Sequence, residues 1–120
     1  MERLEFITHK DKQVLLADVS QCTPQELIMM ITAVKNVVTS QAKGSVLLLA
    51  DFTGAQFSKE VVTRLKEGTV FDAPYIKKSA WVGVESIPEA YFQAIKTFSP
   101  KREFTPFKSR EEALDWLVEE

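Results

Sequence analysis

The chain alternates short apolar runs with longer stretches whose apolar residues recur every three or four positions. Residues 4–8 mix polar and apolar side chains, as an edge strand does, and residues 9–12 are a polar turn. Residues 13–18 form a more apolar run, and so short a connection makes these two strands antiparallel. Thr23-Pro24-Gln25-Glu26 then carries the marks of a helix start: a capping Thr, Pro in the first turn and a Glu that closes a capping box. Leu27, Ile31, Val34 and Val38 lie on one stripe of the predicted helix, and Lys43-Gly44 ends it.

Residues 46–52 are apolar on both faces until Asp51, which predicts a central strand of parallel type. A turn over 53–57 leads to Ser58, the cap of a second helix with Val61, Val62 and Leu65 inward and Glu60 in its first turn. Pro74 ends or interrupts that helix. Residues 79–85 predict the fourth strand, and Ser86-Ile87-Pro88-Glu89 reads as a second capping box. Its helix carries Ile87, Tyr91, Ile95 and Phe98, with Phe92 facing outward, and Ser99-Pro100 stops it. Residues 102–107 predict a fifth strand. Ser109-Arg110-Glu111-Glu112 opens a last helix that buries Ala113, Leu114 and Leu117 with Trp116.

The order is therefore β-β-α-β-α-β-α-β-α in one α/β domain over residues 1–120. The sheet is mixed and five-stranded, with an antiparallel N-terminal edge strand and a mainly parallel remainder. The inner strands are apolar on both sides, so each sheet face needs a cover. A terminal helix, a symmetric partner, a lipid-like ligand or a doubly wound arrangement of the chain's own helices would each supply one.

Composition narrows the function. At 45% apolar and 27% charged residues the chain is an ordinary globular one. A net charge of −2 lacks the basic excess of a generic nucleic-acid binder. One cysteine, Cys22, excludes an internal disulfide and suits a reducing compartment, so a cytoplasmic location is expected. No secretory signal is read at the N-terminus, and no apolar run is long enough for a transmembrane segment.

The chemistry-bearing residues gather at the third strand and its turn. Asp51, Thr53, Gly54, Ser58, Lys59 and Glu60 lie where a parallel strand runs into a helix, the usual docking place in such sheets. They form either an anion or switch site, or an Asx-turn followed by a simple cap. The single histidine, His9, has no partners in a triad or metal-ligand spacing, and no phosphate loop is present, so no enzyme chemistry, metal or cofactor is expected. Lys77, Lys78, Lys96, Lys101, Arg102, Lys108 and Arg110 give the later part of the chain a basic run. It could serve an anionic headgroup or a phosphorylated partner, or be plain solvated surface.

The element order, the Asp-Phe-Thr-Gly at 51–54, the Ala-Pro-Tyr-Ile-Lys-Lys at 73–78 and the phrase at 107–117 together resemble the SpoIIAA-like (STAS/SEC14-type) family of small bacterial proteins. The resemblance runs from Leu4 over nearly the whole chain. It implies a STAS fold, the architecture of anti-sigma-factor antagonists, and a non-enzymatic module that binds a protein partner through this turn. In those antagonists an Asp-Ser-Ser-Gly at the helix start carries a phosphorylated serine. Here that serine's place falls on Glu60, with Ser58 two residues earlier. The resemblance thus carries over the turn but not the usual phospho-serine, and Glu60 would hold a permanent negative charge in its place. A homodimer is implied as well. The alternative is a carrier for a lipid or other apolar small molecule, with Leu47, Leu49, Trp81, Tyr91 and Phe92 lining a pocket or a dimer face.

Overall fold

Periodicity and capping place the elements, and the sheet register then sets their ends. In the computed structural model, which describes residues 3–98 and 104–119, the first two strands are β1 (Leu4–His9) and β2 (Lys12–Asp18). They are followed by α1 (Pro24–Val38), β3 (Val46–Asp51), α2 (Lys59–Asp72), β4 (Ile76–Val82), α3 (Glu89–Phe98), β5 (Phe104–Phe107) and α4 (Arg110–Leu117). The sheet runs β1-β2-β3-β4-β5, with β1 antiparallel to β2 and every other pair parallel. The chain is thus an α/β protein with a mixed five-stranded sheet and, among the described residues, four α-helices. The expected helix stop at Ser99-Pro100, the beginning of the strand at 102–107 and the side chain of Phe98 lie outside the described residues.

All six residues of β3 are buried, as a strand covered on both faces requires. Leu48 and Ala50 face one side, where they join Leu15, Ala17, Trp81, Leu27, Met30, Val61 and Ile95 beneath α1, α2 and α3. Leu47 and Leu49 face the other side, with Val14, Ala80 and Val82, and are covered by Ala113, Leu117 and Val118 of the chain's C-terminal part. The second face is therefore closed by the terminal helix α4. Charged residues hold that helix at both ends. Arg110 reaches Asp51 and Asp18 at the C-terminal ends of the interior strands β3 and β2, while Lys78 Nζ donates to the carbonyls of Trp116 (2.9 Å) and Glu119 (3.0 Å) and Lys12 Nζ to that of Val118 (3.1 Å). Cations on the last carbonyls satisfy acceptors that a helix end leaves open.

Four sequence expectations are corrected. The first helix stops at Val38 rather than near Lys43-Gly44, because the hydroxyls of Thr39 and Ser40 donate to the carbonyls of Lys35 (2.8 Å) and Val37 (2.6 Å) and close its end. The fourth strand begins and ends earlier than 79–85, since Ile76 already pairs with Val46 and Gly83, at φ +76°, turns the backbone out of the sheet. Ser86 does not cap α3: it sits in a 3-10 turn, Val84–Ser86, and its hydroxyl accepts from the Gly54 N–H at 2.7 Å. Phe92 packs inward, edge-on to Phe104 with ring centroids 5.8 Å apart. Among the described residues no helix is long and apolar enough to cross a membrane.

Candidate functional site

Two parallel strands, β2 and β3, end side by side, and each ends in the same way. Asp18 and Asp51 are partners in the ladder, and each is followed two residues later by a hydroxyl residue. Asp18 Oδ1 accepts from the backbone N–H (3.1 Å) and the hydroxyl of Ser20. Asp51 Oδ1 accepts from the N–H (3.0 Å) and the hydroxyl (2.7 Å) of Thr53. These are twin Asx-turns, in which a short carboxylate replaces the backbone partner that a turn lacks. One guanidinium joins them: Arg110 Nε donates to Asp51 Oδ2 at 2.7 Å, and its Nη2 lies 3.1 Å from Asp18 Oδ1.

The electrostatics follow from this pairing. Burial pushes the Asp18 carboxyl up, but the two Ser20 hydrogen bonds and the Arg110 charge outweigh it and hold the group below the ordinary aspartate value. Burial likewise disfavours the Arg110 cation, and the two carboxylates more than reverse that, so its pKa is raised. Both acids accept short bonds and share a cation. As placed, they are turn-forming and clamping groups rather than free bases.

The β3–α2 connection is pinned along its backbone. The Gln21 N–H donates to Thr53 O (2.9 Å), Ala55 to Phe52 O (2.9 Å), Gln56 to Cys22 O (2.9 Å) and Phe52 to Val82 O (2.8 Å). Gly54, at φ +70°, adopts a left-handed conformation, and its N–H meets Ser86. Three neighbouring segments therefore grip the loop while Thr53, Gln56, Lys59 and Glu60 stay exposed. Ser58 is the N-cap of α2, accepting from the Val61 N–H at 3.2 Å. Glu60 stands in the first turn, 3.9 Å from Arg64 one turn on.

The cap gives a direct measurement. Ser58→Ala is expected to lower folding stability by about 1 kcal/mol, and Ser58→Asp, another good cap, by only a few tenths. Urea titration of the two variants beside the parent checks this; equal losses from both would mean that the hydroxyl does not cap.

The sequence-derived residues thus separate into groups. Asp51, Thr53, Gly54, Ser58, Lys59 and Glu60 do share one loop and one helix start. The apolar five do not share a face. Leu47 and Leu49 lie under α4, whereas Trp81, Tyr91 and Phe92 lie on the α1–α3 side, with Trp81 stacked on Phe104 at 3.9 Å and tilted against Phe52. The basic run is broken up as well: Lys78 holds the end of α4 and Arg110 bridges Asp18 and Asp51, while Lys101 and Arg102 lie outside the described residues. His9 Nε2 sits 2.8 Å from Asp115 Oδ1, beside Lys10. Cys22 is buried; that burial pushes its thiol up, and Arg3 Nη1 lies 3.2 Å from its sulfur. Among the described residues no group of three or more His, Cys, Asp or Glu side chains could hold a metal ion.

Sequence reasoning missed Asp18, Ser20, Ser86 and Arg110 as parts of this site. A signal for the first two was present, since Asp18-Val19-Ser20 and Asp51-Phe52-Thr53 repeat one pattern at two strand ends. Compared with known family models, curated proteins and solved structures, the chain matches none.

Proposed function

We propose that the chain is a non-enzymatic regulatory module of STAS type that binds a protein partner through the β3–α2 turn. One observation carries this reading: backbone N–H and C=O groups of the loop are hydrogen-bonded to three neighbouring segments, while Thr53 and Gln56 of the loop and Lys59 and Glu60 of the following helix start are exposed. A surface ordered beforehand loses little entropy when a partner docks. The strand order and the single terminal helix on the second face are compatible with the STAS-type resemblance. In this reading Glu60 supplies a fixed negative charge at the helix start, where a switching homologue would carry phosphate.

The carrier alternative fits the geometry less well. Pockets that enclose a lipid or drug-sized ligand run to several hundred Å³. The apolar cavity between α1, α2 and the sheet has about 50 Å³.

A photo-crosslinking residue placed at Gln56, and separately at exposed Lys43 at the opposite end of the strands, tests the proposal in the native host. The expected result is one discrete heavier adduct from position 56, lost on Glu60→Lys, and none from position 43. Equal adducts from both positions, or none from either, would overturn it. An adduct of twice the chain's own mass would assign the turn to self-association instead.

A further inference from the structure

The sheet ends in two strands, β1 and β5, and the chain treats these edges differently. β5 is four residues long and carries Pro106, which has no N–H to offer a further strand. β1 is six residues long, pairs with β2 in continuous register and holds no proline or bulge. Among the described residues β2 is its only strand neighbour. Two observations fix which of its backbone groups face outward. The Asp18 N–H donates to Arg3 O at 2.8 Å, and the two-residue turn Lys10-Asp11, at φ +50° and +68°, closes on a hydrogen-bonded His9–Lys12 pair. Bonded and non-bonded pairs alternate along an antiparallel ladder. Arg3, Glu5, Ile7 and His9 therefore bond β2, and the N–H and C=O groups of Leu4, Phe6 and Thr8 point away from it. Phe6 is also 42% exposed, the one large apolar side chain on a described strand that is.

We infer that the β1 edge is a self-association surface, on which a second copy of this chain pairs its own β1 antiparallel about a two-fold axis through Phe6 and continues the sheet. The edge selects that occupant by being self-complementary. In this register Phe6 exchanges both backbone bonds with the partner's Phe6, Leu4 with the partner's Thr8, and Thr8 with the partner's Leu4. No outward N–H or C=O of these three residues is then left without a partner. Centring the axis on Ile7 instead would set Leu4 against the partner's Lys10, which lies in the turn. Residues opposite one another in an antiparallel ladder share a face, so the two exposed Phe6 rings meet at the centre. Glu5, the only charged residue from Leu4 to Thr8, falls opposite the partner's Ile7, and no like charges are directly opposed. Pairing of β1 with the β5 edge of another copy would run on as a fibre, and the short, proline-bearing β5 disfavours it, so the contact closes as a pair. This surface is separate from the β3–α2 turn, and either proposal stands without the other.

The alternation of the strand makes the test internally controlled. In sedimentation the purified chain is expected to form a reversible dimer that dissociates on dilution. In concentrated solution the amide protons of Leu4, Phe6 and Thr8 are expected to exchange about tenfold or more slowly than after dilution, the factor of one net hydrogen bond. Those of Glu5, Ile7 and His9, bonded to β2, should stay protected at both concentrations and report that β1 remains folded. Phe6→Lys sets two ammonium groups against each other at the axis and should give a monomer in which the Glu5 and Ile7 amides remain protected. Thr8→Pro removes an outward N–H while sparing the bonds to β2, and should weaken the dimer too; it serves if Phe6→Lys does not fold. Three results would overturn the inference: a monomer at every concentration, a dimer in which the Leu4, Phe6 and Thr8 amides exchange as fast as in the diluted chain, or a dimer that survives both substitutions. Protection of those three amides by host extract alone, with the pure chain monomeric, would assign the edge to a foreign strand and overturn it as well.

Discussion

Arg110→Ala is expected to lower folding stability by about 3 kcal/mol, a large effect for one side chain that stays partly in water. The size comes from what is left behind. The Asp51 side chain is only 9% exposed, and Arg110 Nε is the only donor to its Oδ2 among the described residues. Removing the guanidinium strands that carboxylate and places it beside Asp18, its neighbour in the ladder, with nothing between the two charges. Arg110 itself is 39% exposed, which holds the estimate to the lower end of the range for broken buried pairs. Arg110→Lys should rescue little, because one ammonium cannot span two carboxylates as a planar fork does. In the double variant Arg110→Ala/Asp51→Asn the loss should fall below the sum of the single losses by more than about 1 kcal/mol.

Acid provides a second readout of the same clamp. Asp18 has a lowered pKa when folded, so it contributes stability that is present above its unfolded value, about 3.9, and is lost as pH falls through the lower folded value. Arg110 is one cause of that lowering, so in Arg110→Ala the folded pKa rises toward the unfolded one. The difference in stability between pH 7 and pH 3, taken from urea titrations, should therefore shrink in the variant. A loss below about 0.5 kcal/mol at pH 7, with an unchanged acid dependence, would mean that the bridge behaves as an ordinary surface pair.

What the sequence made legible, and what it hid, follow from the range of each signal. The two-sided apolarity of β3 and the capping residues Thr23, Ser58 and Ser109 are local, and each was met where it was expected. The need for a cover on both sheet faces could also be read, since Leu47 and Leu49 alternate with Leu48. Which element supplied it could not, because α4 reaches those residues across more than sixty positions of chain. Ser86 misled for the same reason. Ser-x-x-Glu at 86–89 satisfies the local rule for a cap, but the chain beside Gly83 carries the hydroxyl to the Gly54 N–H, a partner 32 residues away. Arg110 read as one cation in a basic run, because nothing near it in sequence announces Asp18 or Asp51. The candidate loop was found from strand-end logic alone; the clamp that holds it depends wholly on long-range pairing.

That long-range dependence is most severe at Gly83, where alanine is expected to cost about 3 kcal/mol or more. Two effects add there. Gly83 adopts φ +76°, a left-handed conformation that costs a residue bearing a Cβ about 1–2 kcal/mol. In addition, a Cβ at this position would lie 2.4 Å from the Thr53 backbone nitrogen and 2.7 Å from its Cα, and a backbone cannot swing aside as a side-chain end can. The Thr53 turn would have to move, which disturbs the bonds from its N–H and hydroxyl to Asp51. Gly44 separates the two effects: it has nearly the same angle, φ +67°, but nothing within 4 Å of its missing Cβ. Gly44→Ala should therefore show the conformational cost alone, about 1 kcal/mol, and the gap between the two variants measures the contact. Denaturant titration of both decides the matter, and equal losses would refute a close fit between Gly83 and the turn. If that turn is the partner surface, Gly83→Ala should also weaken crosslinking from Gln56 under conditions where the variant remains folded. Gly44→Ala should leave it intact, because its missing Cβ faces open space and Gly44 is bonded to the carbonyl of Pro74 rather than to the β3–α2 loop.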